Sequence, residues 1–242
     1  MNFKIKSLIA TLCVLLLFTA ACNRDGKTGS SGAGVSPSGS GGGNNAATTA
    51  AAISADDKPL DVMTKAMRAQ LDAKSYRANV TSSMSDGTTS SMLIEYAAPD
   101  RYRMTTEAKP GGGKSYQMEY VIVGGATYLK APNGGWVRSP IDAGGMIKAF
   151  RDPKMLDELT KTADVKYVGA ETLDGEPVLV YQYTQNNPMG MNLKSTSKTW
   201  LSVADGLPRK TESEGEFNGQ KTKTLVKMSD YNSDIKIEAP SK

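Results

Sequence analysis

The sequence predicts an α+β fold: a curved antiparallel half-barrel sheet of about eleven strands wrapped around an N-terminal helix and a helical insert. From residue 57 to residue 242, apolar side chains recur mostly at every second position, as in strands with one buried face. An amphipathic segment opens this region, and a helical pattern interrupts it between residues 143 and 162. A twisted sheet of this size curls, and the helices are the elements available to fill its hollow. The alternative is a closed barrel with the first helix packed outside its wall.

The N-terminal helix is predicted to begin near Pro59, because the first turn of a helix does not need the N–H that proline lacks. Leu60, Met63, Met67 and Leu71 follow at helical spacing, with Val62 and Ala66 alongside. They form one apolar stripe, so the helix should bury that side against the sheet.

Alternation and turn residues predict the strands. Tyr76, Ala78 and Val80 alternate with polar residues, and Asp86-Gly87 supplies a hairpin turn before the next run. The other strands follow the same pattern and are predicted around residues 91–96, 101–107, 116–122, 128–129, 136–137, 165–172, 177–184, 198–203, 208–217, 220–231 and 234–238. Nearly all of them are joined by hairpins, which predicts an antiparallel meander.

The helical insert is predicted from two short apolar stripes. Met146, Ile147 and Phe150 lie at helical spacing, and Asp152-Pro153 provides a cap and a first-turn proline for a second piece. We expect the insert from Met146 to Leu159 to form a lid over the hollow.

Residues 1–21 predict a lipoprotein signal peptide. Lys4 and Lys6 precede a mostly apolar run that ends at Phe18, and this run is too short to span a bilayer. Small residues stand directly before Cys22, as at the cleavage site of bacterial lipoproteins. We expect Cys22 to become the new N-terminus and to carry fatty acyl groups such as palmitate. The alternative is ordinary secretion with a free Cys22.

Residues 22–56 predict the lipidated cysteine followed by a flexible tether. The segment is rich in Gly, Ser and Ala and has few side chains that could form a core. A flexible coil of this length spans about 30 to 35 Å, which would let the domain of residues 57–242 work clear of the lipid headgroups.

Composition argues against several classes of function. The chain has no His, and its 2 Cys lie at positions 13 and 22, so the folded region offers no Cys or His for metal binding or catalysis. The net charge of +4 is too small to predict a nucleic-acid partner. A Gly-Lys-Ser sequence at 113–115 and the Ser195…Lys198 pair match fragments of enzyme motifs, but both lie in strand and hairpin patterns. We therefore predict no enzyme activity, no cofactor and no metal site.

The order of these features resembles a known family. After the lipoprotein signal, the tether and one helix come a meander containing VGGATYLKAPNGGWVRSP, the insert, and then KTWLSVADGLPRKTESEG. This arrangement resembles the LolA/LolB-type lipoprotein-carrier fold over about residues 57–240, and most closely its membrane-tethered LppX-type relatives. The resemblance implies a hydrophobic cavity that carries lipid or lipidated cargo. LolA-type carriers are soluble, whereas this chain has a predicted tether. Those carriers also use an arginine clamp; no residue here matches it by position, although Arg101 and Arg103 are available.

The candidate ligand cavity is predicted from apolar residues that should converge on one interior, with Met104 and Met118 beneath the N-terminal helix. Unbranched thioethers adapt to irregular apolar shapes, as mobile acyl chains would require. The candidates are Met63, Met67, Leu71, Met92, Ile94, Tyr96, Met104, Met118, Tyr120, Ile122, Met146, Ile147 and Phe150. The alternative is that these side chains simply fill a dry core.

Two functions follow from these predictions. The first is a membrane-anchored bacterial lipoprotein that binds or transfers lipid or acylated cargo, with the Cys22 anchor in the outer membrane facing the periplasm or in the outer face of the cell membrane. The second is an envelope interaction or sensor lipoprotein with the same fold and a filled core, whose partner is another envelope protein.

Overall fold

The computed structural model describes residues 52–151, 163–186, 193–217 and 219–241. The signal peptide, Cys22, nearly all of the tether and the second piece of the insert lie outside these residues. Two helices are described, α1 (Pro59–Asp72) and α2 (Ala143–Phe150). The strands are β1 (Ser75–Met84), β2 (Thr89–Ala97), β3 (Arg101–Lys109), β4 (Tyr116–Val123), β5 (Ala126–Lys130), β6 (Trp136–Arg138), β7 (Asp164–Leu173), β8 (Glu176–Asn186), β9 (Leu193–Ser202), β10 (Pro208–Phe217) and β11 (Gln220–Ser229).

The described strands form one 11-stranded antiparallel sheet in the order β6-β5-β4-β3-β2-β1-β11-β10-β9-β8-β7. Strands consecutive in the chain are neighbours, except for β6 and β7, and in addition β1 pairs with β11 in the middle of the sheet. β6 and β7 form the two edges and do not pair with each other, so the sheet is open. The predicted half-barrel is confirmed, and the closed-barrel alternative is wrong for the described chain.

The strand register places a continuous apolar surface on the face of the sheet that the two helices cover, called here the inner face. Ala78 of β1 pairs with Ile94 of β2 and with Met228 of β11. Ile94 pairs in turn with Met104, which pairs with Tyr120. Because every second residue of a strand points to the same face, this row joins five strands into one surface.

Helix α1 packs on the β7–β9 half of the inner face. Val62, Met63 and Ala66 are buried in one cluster with Leu179 and Leu201. Of the six predicted stripe residues, Val62, Met63, Ala66 and Leu71 are buried and Met67 is half-buried.

Leu60 is 39% exposed, whereas Gln70, outside the predicted stripe, is 2% exposed.

The C-terminal segment differs from the sequence prediction. The predicted strand at residues 234–238 is absent, because the backbone leaves the sheet at Asp230 and Asn232, which have φ of 56° and 58°. Ile237 instead packs with Ala97 and Val121 on the outer face, opposite the helices. Arg101 Nη1 donates a hydrogen bond of 2.7 Å to the Ile237 carbonyl oxygen.

Candidate functional site

An apolar cluster on the β1–β4 half of the inner face brings together six of the predicted cavity residues. The cluster also contains side chains of β1 and β11, and Ala73, which directly follows α1. The six are Met92, Ile94, Tyr96, Met104, Ile122 and Ile147, and Tyr120 packs against them. Ile147 belongs to α2, so α2 contributes the helical side of this cluster.

The other predicted residues are not all part of this cluster. Met63 lies in the separate cluster under α1. Leu71 is buried but belongs to neither cluster. Met67 and Met118 are half-buried, and Tyr120 Oη donates to Met118 Sδ over 3.1 Å. The side chains of Met146 and Phe150 lie outside the described part of the structure.

The sequence prediction that placed Met104 beneath the N-terminal helix is wrong. Met104 shares its cluster with Ile147 of α2, whereas the buried residues of α1 pack on β8 and β9. An apolar stripe shows which side of a helix is buried, but it does not specify which strands will cover it.

Tyrosines form a row along one end of the inner face. The rings of Tyr76 and Tyr96 lie 5.0 Å apart, those of Tyr96 and Tyr102 lie 4.9 Å apart, and Tyr231 lies 6.0 Å from Tyr76. Burial raises the pKa of Tyr76, Tyr96 and Tyr102, so these hydroxyls stay protonated in the folded chain.

Arg151, directly after α2, lies over this tyrosine row. Its guanidinium carbon is 4.3 Å from the centre of the Tyr96 ring. Nη1 donates to Tyr102 Oη at 2.9 Å, and Nη2 donates to Tyr96 Oη at 2.9 Å and to the Leu71 carbonyl oxygen at 3.1 Å. Arg151 thus ties the end of α2 to β2, β3 and the last turn of α1. Arg151 was not predictable from the sequence, since a single arginine after an apolar stripe has no distinctive spacing.

A cavity of about 570 Å³ opens beside α2, at the end of the sheet where the β2–β3 and β4–β5 turns lie. Tyr102, Ile147 and Arg151 contribute to its wall. A second cavity, of about 630 Å³, lies at the opposite strand ends and is lined mainly by Ser, Thr, Glu and Lys. Of these two cavities, the one beside α2 contacts the apolar cluster.

Close backbone contact seats α2 on the sheet. A Cβ atom at Gly144 would lie 2.9 Å from Gly125 Cα in the β4–β5 turn and 3.4 Å from Ile122 Cγ2. The backbone N–H of Gly145 donates to Asp142 Oδ1 at 2.7 Å, which caps the start of the helix.

The enzyme-like sequence fragments have ordinary structural roles. Residues 113–115 lie in the connection between β3 and β4, and Ser195 and Lys198 lie within β9. Within the described ranges, no group of three His, Cys, Asp or Glu side chains is placed to hold a metal ion. No helix in those ranges is long and apolar enough to cross a membrane.

The open antiparallel sheet with its helix-covered inner face is a LolA/LolB-like fold. The structure is similar to lipoprotein LppX of Mycobacterium tuberculosis, with a TM-score of 0.53 and 11% sequence identity, covering 74% of this chain and 97% of LppX. No protein-family model and no curated protein sequence matches the chain.

Weaker similarity extends to two further solved structures. The Pseudomonas aeruginosa MucA/MucB complex gives a TM-score of 0.39 at 17% identity, covering 73% of this chain and 59% of the other. A lipoprotein-sorting protein domain from Vibrio parahaemolyticus gives 0.28 at 11% identity, covering 74% and 94%.

Proposed function

We propose that this chain is an envelope lipoprotein, anchored through Cys22, that binds a lipid or lipidated ligand on the inner face of its sheet. The observation that carries the proposal is the apolar cluster of β1–β4, which α2 covers and which borders the 570 Å³ cavity. A cavity of this size lies within the usual range for small-molecule sites, about 300 to 1,000 Å³.

The chemistry of the cluster supports an acyl ligand. Met92, Met104 and Met228 lie among aliphatic and tyrosine side chains, and flexible thioethers can reshape around a chain of variable conformation. The fold that the chain shares with a lipoprotein agrees with this role.

A cover that can move would give the ligand access. Helix α2 has only eight residues, and both Gly144 and Gly145 lie in its first turn. Such a short element, attached at one edge of the inner face, can open separately from the strands if the contacts of Ile147 and Arg151 are released.

A second candidate function is an interaction or sensor lipoprotein with a filled core. It is favoured by the deep burial of the same cluster, where Tyr76 is 0% and Ile122 is 1% exposed. In that case the open edges at β6 and β7 would offer backbone groups to a protein partner.

Native mass spectrometry of the Cys22→Ser chain recovered from its own cells tests the lipid proposal. This variant lacks the acylated anchor, so it should be recovered as soluble chain or with its signal peptide uncleaved, and any lipid that it retains is non-covalent. We expect a species with one lipid-sized adduct per chain that is lost after unfolding in urea and refolding without lipid. A chain that carries no adduct before unfolding contradicts the proposal and favours the second candidate.

A further inference from the structure

Arg151 is the one buried charged side chain among the described residues, excluding tyrosine, and it is 4% exposed. Its three hydrogen-bond acceptors are two phenol oxygens and a backbone carbonyl, none of which carries a charge. These bonds use three of the five N–H donors of a guanidinium. A buried cation without an opposite charge is costly, since neutral acceptors replace only part of the lost hydration.

Other arginines of the same sheet show a different environment. Arg209, which is less buried, donates to Glu176 Oε2 and Asp205 Oδ2, both at 2.8 Å. Arg77 pairs with Glu95 at 2.9 Å and with Asp230 at 3.1 Å. No carboxylate in the described ranges lies within 4 Å of the Arg151 guanidinium, although it is the most buried of the three.

The cavity of about 570 Å³ reaches the Arg151 guanidinium, which has no carboxylate partner among the described residues. Arg138 and Lys148 also line it, against two carboxylates, Asp100 and Asp142. Asp142 already caps α2 through its bond to the Gly145 N–H, and Asp100 is exposed. Cationic groups are therefore in excess around the opening, and the deepest of them is Arg151.

We infer that this cavity binds the oxyanion headgroup of a lipid, a carboxylate or a phosphate, with Arg151 as its counter-charge. The inference rests on the proposed function and specifies its ligand as an anionic amphiphile. The planar guanidinium matches the two oxygens of a carboxylate or phosphate. From a headgroup at Arg151, the acyl chain would pass Tyr102 and Ile147 into the apolar cluster, since both side chains line the cavity and belong to that cluster.

The test compares two fluorescent probes with the same acyl chain, cis-parinaric acid, whose headgroup is charged, and its methyl ester, whose headgroup is neutral. Every contact described above lies within residues 52–241, so the chain from residue 22 with Cys22→Ser contains the whole described fold. We expect this chain to bind the acid at least about tenfold more tightly than the ester, because a charge-assisted hydrogen bond would be lost with the ester. Arg151→Met should remove this preference while ester binding persists, and Arg151→Lys should retain part of it.

Lys109→Met is the matched control, since Lys109 lies at the other cavity, at the opposite strand ends. It should leave the preference unchanged. Equal binding of acid and ester by the unmutated chain overturns the headgroup inference and leaves the proposed function standing, and this comparison holds even if Arg151→Met does not fold. Binding of neither probe overturns the proposed function itself.

Dodecyl phosphate and inorganic phosphate separate a lipid headgroup from a free anion. We expect dodecyl phosphate to displace parinaric acid from the unmutated chain and inorganic phosphate at the same concentration to leave it bound. Equal displacement by inorganic phosphate overturns the assignment of the site to a lipid.

Discussion

At the scale of single residues, the tyrosine row and Arg151 form the polar end of an otherwise apolar inner face. Tyr76, Tyr96 and Tyr102 present their rings to the cluster, and Tyr96 and Tyr102 present their hydroxyls to the guanidinium. Tyrosine suits this position because it has an apolar ring and a polar tip. The same residues therefore complete the core and hold the charge beside the cavity.

The burial of Tyr76 should make the free energy of unfolding fall at alkaline pH. Burial raises its pKa well above the ordinary value, so above pH 10 the unfolded chain loses this proton before the folded chain does. This stabilisation is complete below pH 10 and is lost as the pH rises further. Urea unfolding measures the effect. Between pH 8 and pH 10.5, the free energy of unfolding should fall in both proteins, and the fall should be about 0.8 kcal/mol smaller for Tyr76→Phe than for the unmutated chain. An equal loss in both proteins would show that Tyr76 ionises alike in the folded and unfolded chains.

At the scale of secondary-structure elements, the close packing of α2 against the β4–β5 turn depends on Gly144. Alanine at Gly144 would improve helix propensity by about 1 kcal/mol, but its Cβ would meet the Gly125 backbone at 2.9 Å. A backbone atom cannot move aside as a side chain can, and overpacking of this kind costs about 1 to 3 kcal/mol. We expect Gly144→Ala to lower the unfolding free energy by about 1 kcal/mol.

The matched control is Gly135→Ala in the β5–β6 hairpin, where the added Cβ would meet only Asn133 Oδ1 at 3.5 Å. Urea unfolding should show this variant within about 0.5 kcal/mol of the unmutated chain. If Gly144→Ala is equally harmless, α2 is not held against the β4–β5 turn as described.

The strands were the most predictable elements, because turn residues and alternation are signals contained within short stretches of sequence. Asp174 and Gly175 take φ of 51° and 86° at their hairpin turn, a conformation that Asp-Gly pairs favour strongly. Alternation then fixes which side chains share a face, so Ile94, Met104 and Ile122 were correctly placed on one surface. Ile235 and Ile237 alternate in the same way but do not form a strand, because the positive φ at Asp230 and Asn232 turns the chain out of the sheet.

At the scale of the whole molecule, the sheet divides its inner face between two helices. Helix α1 packs on β7–β9, and α2 contributes to the β1–β4 cluster. This division was not predictable, since the apolar stripe of each helix fits either half. The predicted single interior is therefore two clusters in the described chain, and the candidate site lies in the one that borders the cavity beside α2.

The proposed tether would set how far the cavity beside α2 can move from the membrane. A Cys22 anchor with a coil of about 30 to 35 Å would let the cavity reach the surface of its own membrane. Two acyl chains hold a protein on a membrane far longer than one, so the domain would exchange ligand while it stays attached.

The most direct test of the central claim, that the inner face holds a ligand, is the stability of Met104→Trp after removal of lipid. Met104 is 7% exposed in the cluster, and Leu93→Trp on the exposed side of β2 is the control. If the interior makes room for an acyl chain, the tryptophan occupies that room, so the lipid-free variant should melt at or above the temperature of the unmutated chain and fail to bind parinaric acid. A loss of about 1 to 3 kcal/mol in a chain that never binds the probe would show a filled core and contradict the claim.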